Sequence, residues 1–291
     1  MTYKFDHLVK KHPCFSGEAH VKYGRIHLPV SPSCNIQCKF CKRSFNKCEN
    51  RPGVSRSIIT PEESVNIVDK ALDLCPDITV VGIAGPGDTL ATDHALDTFQ
   101  LINRKHPNLI KCLSTNGLKL SEKAERIVES GVKTITVTIN AVNPEILKHI
   151  CSSILYEGKK VIGKDGAEIL ISNQLEGIKK ISDLGTIVKI NTVLIPGIND
   201  IHVEEIAKTT KKLGASIINV IPLIPQNEMI NYPAPNCDQL GLARIKAEQH
   251  LPAFKHCKQC RADACGIPGK SRDLSKLLYD RPLQLETFSH G

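Results

Sequence analysis

From about residue 25 the chain repeats one unit six times, a short β-branched run followed by a helical stretch. The strands are read at Arg25–Ser31, Ile78–Ile83, Lys111–Thr115, Thr134–Ile139, Ile187–Ile195 and Ile217–Ile224. Helices are read at Thr60–Leu72, Asp93–Arg104, Ser121–Ser130, Pro144–Ile154, Asn173–Leu184, Val203–Leu213 and Cys237–Gln249. Thr60 with Pro61 and Glu63 forms a capping box with proline in the first turn. Strand–helix alternation forces parallel pairing with right-handed crossovers. Six units do not close an eight-stranded barrel. The fold class is therefore α/β, an open partial (β/α)6 barrel of TIM type, with chemistry at the C-terminal strand ends. Residues 1–24 and 251–291 are read as extensions on a barrel spanning 25–250.

Composition narrows the function classes. No apolar stretch approaches the roughly 20 residues of a membrane span. The start, Met-Thr-Tyr-Lys-Phe-Asp-His, has no apolar signal core, so a cytoplasmic protein is expected. Net charge is +8, but its Lys and Arg residues are scattered among acids, which argues against nucleic acid and for a general attraction to anions. Twelve cysteines, clustered in a chain too long to need staples, read as metal ligands rather than disulfides.

Cys34-Asn-Ile-Gln-Cys38-Lys-Phe-Cys41 follows the first strand. Three thiolates are one short of saturating a four-iron cubane, so one iron stays open to an exogenous ligand. A zinc loop or ferredoxin-type site would want a fourth ligand, and Cys48 is available as one. The spacing, with Phe40 before the last cysteine, resembles the signature of radical S-adenosylmethionine (SAM) enzymes. That likeness implies SAM on the open iron, reductive cleavage, and a 5′-deoxyadenosyl radical. Ala84-Gly85-Pro86-Gly87-Asp88 then resembles the Gly-Gly-Glu-type turn that receives the methionine part of SAM, with Asp in place of Glu. Ser114, Asn116 and Asn140, at the ends of strands three and four, are placed for ribose or carboxylate. Asn191 and Val193, in Val193-Leu-Ile-Pro-Gly and the strand before it, resemble the adenine side.

Further segments make the resemblance narrower. His12-Pro-Cys14-Phe, Gly24-Arg-Ile-His27, Arg51-Pro-Gly-Val and His256-Cys257-Lys-Gln-Cys260-Arg-Ala-Asp-Ala, in order with the cysteine loop, resemble the NifB family in its short form. These are radical SAM enzymes of nitrogenase cofactor biosynthesis. The resemblance implies three [4Fe–4S] clusters, one binding SAM and two serving as substrate. The two are fused, with a SAM-derived carbide and an added sulfur, into an [8Fe–9S–C] precursor. It assigns His27, Cys48 and Cys112 to one substrate cluster and Cys14, Cys257 and Cys260 to the other, with Glu49 as a helper in catalysis. Cluster donor and acceptor proteins of nitrogenase assembly, a reductant of ferredoxin or flavodoxin type, and an anaerobic cytoplasm follow from it. Two other functions stay open on the residues alone. One is a radical enzyme for a peptide or small molecule with electron-relay clusters; the other is a non-catalytic iron–sulfur carrier. Cys257 and Cys260 with Cys265 and His256 could also make part of a zinc ribbon. Cys75, Cys151 and Cys237 are expected to be free and buried.

Overall fold

The computed structural model describes residues 6–270 and 273–279. Strands β1 (Gly24–His27), β2 (Ile78–Ile83), β3 (Ile110–Thr115), β4 (Val132–Thr138), β5 (Ile187–Leu194) and β6 (Ile217–Pro222) each precede a helix. The helices are α1 (Pro61–Leu74), α2 (His94–Lys105), α3 (Leu120–Glu129), α4 (Gly163–Asp183), α5 (Val203–Lys212) and α6 (Cys237–Glu248). The six strands lie parallel in sequential order in one curled sheet, as the alternation requires. The helices bury Ile, Leu, Val and Phe99 against the sheet's outer face. The Thr60 cap is formed as read, with Thr60 Oγ1 accepting from the Glu63 N–H and the Glu63 carboxylate from the Thr60 N–H. Among the described residues no helix is long and apolar enough to cross a membrane.

The inner face follows the two-residue period of strands. Arg25 and His27 on β1, Cys112 and Ser114 on β3, and Lys189, Asn191 and Val193 on β5 all face one central cavity of about 370 Å³.

The half-barrel has two free edges, and the C-terminal segment covers both. The Ile218 N–H donates to the Pro252 carbonyl and the Phe254 N–H returns a bond to Ile218, along the outer edge of β6. Farther on, β7 (Cys265–Gly266) pairs antiparallel with β1, the opposite edge. The stretch between them, with Cys257 and Cys260, therefore spans the gap the sheet leaves open. Paired edges also lose their power to recruit foreign strands. At the N-terminal end of the strands, Phe15 and Phe254 pack on Ile187 and Ile217 and plug the barrel.

One helix expectation fails. The stretch 144–154 holds only a single helical turn, Pro144–Leu147, and then a hairpin of Cys151–Tyr156 and Lys159–Ile162. Its two-residue turn places Glu157 at φ 49° and Gly158 at φ 75°. Positive φ at both central positions matches the twist of a tight hairpin. Ile36–Cys38 joins as a third strand, with Cys38 opposite Cys151. The hairpin thus serves as a platform for the cysteine loop. The helix read at Asn173–Leu184 is the second half of the longer α4.

Candidate functional site

Cys34, Cys38 and Cys41 line the cavity where the strands end. Their loop is held from three sides. The Lys39 N–H donates to the Ile150 carbonyl and the Leu155 N–H to that of Asn35 (both 2.8 Å), while Asn116 Nδ2 donates to Asn35 Oδ1 (2.7 Å). Burial pushes the Cys34 thiol up to about 12, and nearby Asp88 adds to it. Burial likewise raises Cys38 well above the ordinary thiol range and raises Cys41, against the pull of Arg43. Three thiols that resist ionisation when buried become thiolates only with a strongly cationic partner, which is how metal binding couples to proton release. All twelve cysteines are free, so no disulfide competes for them.

The turn after β2 abuts this loop. Gly87 donates to the Ser31 carbonyl and Asp88 to that of Ser33, both at 2.9 Å. A Cβ on Gly87 would lie 2.0 Å from the Ser33 carbonyl oxygen, so the glycine is needed for this close backbone approach. Pro86 and Gly87 line the cavity; Gly85 lies behind them against Ala262. Asp88 also reaches the wall, but its buried carboxylate accepts from Thr115 Oγ1 and the Leu90 and Asn116 N–H groups. Both oxygens are engaged in holding the end of β3. Phe40, Ser114, Asn116, Asn140, Asn191 and Val193 all face the cavity. Asn140 Oδ1 accepts from the Val193 N–H (3.0 Å) and Asn191 Oδ1 from Asn219 Nδ2 (2.7 Å), so these amides also fix their neighbours.

Deeper along the same cavity stand His27, Cys112, Cys14, Cys257 and Cys260. His27 Nδ1 sits 3.1 Å from the Arg261 carbonyl, which fixes the proton on Nδ1 and leaves Nε2 with its lone pair. Burial and the Arg25 charge lower this imidazole to about 4, so it is neutral at pH 7 and suited to ligating metal. Gly82, on β2 between His27 and Cys112, contributes no side chain. A Cβ there would approach His27 Cδ2 at 3.0 Å, so the glycine leaves a bay between these two donors. Burial pushes Cys14 up to about 12, opposed by Lys189, and also raises Cys112. Among the described residues no three His, Cys, Asp or Glu side chains converge on a single metal ion; the donors stand around the shared cavity instead.

Two of the residues read as site residues stand apart. Cys48 and Glu49 are both exposed, and neither lines the cavity. Asn46 Oδ1 accepts from the N–H groups of both, turning their loop outward, and Arg51 Nε takes the Glu49 carboxylate at 2.5 Å. The zinc-ribbon grouping also separates, because Cys265 is buried in the main core on β7 while Cys257 and Cys260 face the cavity. Cys237 is exposed at the start of α6, not buried, and Cys151 is buried but on the cavity wall. Residues that sequence reasoning passed over are Arg25, Lys189, His12 and His20, all buried and all on the wall. Counting back two places along the strand from His27 and from Asn191 would have found the first two.

An open parallel half-barrel with three thiols at its mouth defines a class, and the comparisons agree. The Radical SAM superfamily model matches residues 28–210. A crystal structure of a radical SAM methyltransferase from Sphaerobacter thermophilus superposes with a TM-score of 0.58 at 16% identity, over 79% of this chain and 64% of that one. Two curated relatives are similar over nearly their full length. FeMo cofactor biosynthesis protein NifB of Methanocaldococcus infernus is 49% identical over 98% of this chain and 96% of its own. Its namesake from Methanocaldococcus jannaschii is 48% identical over 98% and 95%. The chain belongs to the NifB family of the radical SAM superfamily. Membership implies a [4Fe–4S] cluster and SAM, and the Cys34, Cys38 and Cys41 donor set fits that cluster.

Proposed function

We propose that the chain works in FeMo cofactor biosynthesis, fusing two [4Fe–4S] substrate clusters with a SAM-derived carbide and an added sulfur into an eight-iron precursor. One observation carries this reading: a single cavity is walled by the Cys34 loop and by a second set of donors, His27, Cys112, Cys14, Cys257 and Cys260. A carrier needs no SAM-binding turns, and a peptide modifier needs no thiols lining its substrate space. When bound, the cluster on Cys34, Cys38 and Cys41 supplies an open iron for SAM and the electron that cleaves it. The chain's own residues do the rest. Asp88 and Asn116 hold the loop and the β3 end in register. His27 offers Nε2 to one substrate cluster beside Cys112; Cys14, Cys257 and Cys260 hold the other. Cys48 and Glu49 belong to this scheme only if their loop turns inward. Donor and acceptor proteins for clusters and a ferredoxin- or flavodoxin-type reductant complete the proposal.

The test is anaerobic reconstitution, addition of SAM and dithionite, and measurement of 5′-deoxyadenosine, S-adenosylhomocysteine and the iron spectrum. Both products and a changed spectrum are expected. Cys34→Ala should abolish both products, whereas Cys257→Ala should retain SAM cleavage and lose the fused cluster. Deoxyadenosine without homocysteine would instead favour a peptide or small-molecule substrate, and neither product would favour a carrier.

A further inference from the structure

Among the described residues the cavity wall carries six Lys or Arg side chains and one acid, Asp88. That acid is already satisfied by Thr115, Leu90 and Asn116 near the mouth. At the opposite end two cations are buried with no carboxylate partner among the described residues. Arg25, 7% exposed, donates from Nη1 to the Gly266 carbonyl (2.7 Å) and from Nη2 to Cys260 Sγ (3.1 Å). Its Nε is buried with no partner. Lys189, 6% exposed, donates to the Cys14 carbonyl (3.1 Å) and lies over the rings of Phe15 and Phe254. His12 adds a third group. Its Nδ1 accepts from the Cys14 N–H (3.1 Å), so the neutral ring carries its proton on Nε2, which is buried and unpartnered. Buried cations without counter-charge are costly, and a fold keeps them where an anion completes the set.

We propose that Arg25 and Lys189, with the His12 Nε2–H, form a cationic cradle for an anionic iron–sulfur cluster at the Cys14, Cys257 and Cys260 end of the cavity. The inference rests on the reading that these cysteines bind a cluster. It adds that the cluster's charge is balanced by residues that do not ligate it. They are positioning residues: they favour the more negative, reduced state of the cluster and make the end of the barrel selective for an anion.

The experiment uses the full chain in a Cys34→Ala, Cys38→Ala, Cys41→Ala background, so that the SAM-binding cluster is removed. Lys189→Met, Arg25→Gln and Arg25→Lys are each reconstituted anaerobically with iron and sulfide. Iron per chain, the cluster's midpoint potential by EPR-monitored titration, and the melting temperature of the metal-free protein are recorded. In Lys189→Met and Arg25→Gln, loading should fall and the midpoint of the remaining cluster should move to more negative potential. The metal-free proteins should melt no lower than the parent, because a buried unpaired charge has gone. Arg25→Lys should restore most of the potential. Unchanged potential with full loading would overturn the proposal. So would loss of loading that merely tracks a lowered melting temperature, which would make Arg25 a brace between β1 and β7. Cys14→Ala and Cys257→Ala in the same background test the premise separately. If they leave the iron content unchanged, the ligand reading has failed. If they lower it while Lys189→Met behaves as the parent, only the cradle has failed.

Discussion

At the scale of single residues, the cavity depends as much on atoms left out as on donors supplied. Gly82 stands mid-strand, where glycine costs roughly 0.5–1 kcal/mol relative to alanine. Its return is the bay beside His27. Gly82→Ala should leave the metal-free protein folded, since the nearest atom, His27 Cδ2, is 3.0 Å from the new Cβ and belongs to a side chain. Iron bound beside His27 and Cys112 should drop by most of one cluster, while the Cys34 loop keeps its SAM cleavage. Iron analysis together with a deoxyadenosine assay checks this, and full iron with an unaltered spectrum would refute it. The residue scale also marks how far sequence reasoning reaches. The spacing of Cys34, Cys38 and Cys41 already groups them in the sequence, because a shared cluster constrains neighbours along the chain, and the structure places all three on one cavity wall. Asp88 was harder. Its partners Thr115 and Asn116 lie 27 and 28 residues away, and only the sheet brings them together. Read from sequence, its carboxylate belongs to a ligand; in the structure it is bound to the protein.

At the scale of elements, five of the six barrel strands lie within a residue or two of where their β-branched runs put them, and the first stops early at His27, two residues before Pro29. The hairpin at 151–162 escaped because its Cys-Ser-Ser start lacks alternation and the preceding Asn143-Pro144 starts a real helical turn. The overlooked signal was Glu157-Gly158, two residues between runs of equal facing length. This element bears on chemistry through the pairing of Cys38 with Cys151. Gly158 has open space around its Cα, so a substitution there acts through backbone conformation alone. At φ 75° an alanine should cost about 1–2 kcal/mol. Gly158→Ala should therefore lower the unfolding free energy measured in urea by that amount, with a lower midpoint, and slow SAM cleavage at the Cys34 loop. Iron held at the Cys14 end should not change. A wild-type midpoint would mean that the turn relaxes to another type without loosening the platform.

At the scale of the whole molecule, the segment from Pro252 to Gly266 joins the two free edges of an unclosed sheet, and one buried carboxylate locks it there. Asp263, fully buried, accepts from Arg56 Nη1 and backbone N–H and from Arg261 Nε and Nη2. Arg261 in turn donates to the Asn46 and Glu49 carbonyls, the loop that carries Cys48. Arg56 also reaches Ser275. The Arg-Ala-Asp-Ala run that made the terminal motif distinctive is thus the clamp between the Cys257 segment, the Cys48 loop and β1. Its role was invisible in sequence because its partners lie more than 200 residues away. Asp263→Asn would keep the shape and remove the charge, taking from two buried guanidinium groups the one carboxylate that pairs with both among the described residues. Breaking such a pair from one side typically costs about 3–5 kcal/mol. The metal-free variant should lose stability on that order in urea. Cys265, buried on β7, should become reactive to a thiol reagent before global unfolding, while Cys151, buried on the hairpin strand opposite Cys38, stays protected. Labelling resolved by mass spectrometry separates the two. If both cysteines open together, the segment unfolds only with the barrel, and Asp263 stabilises the fold as a whole rather than clamping its seam.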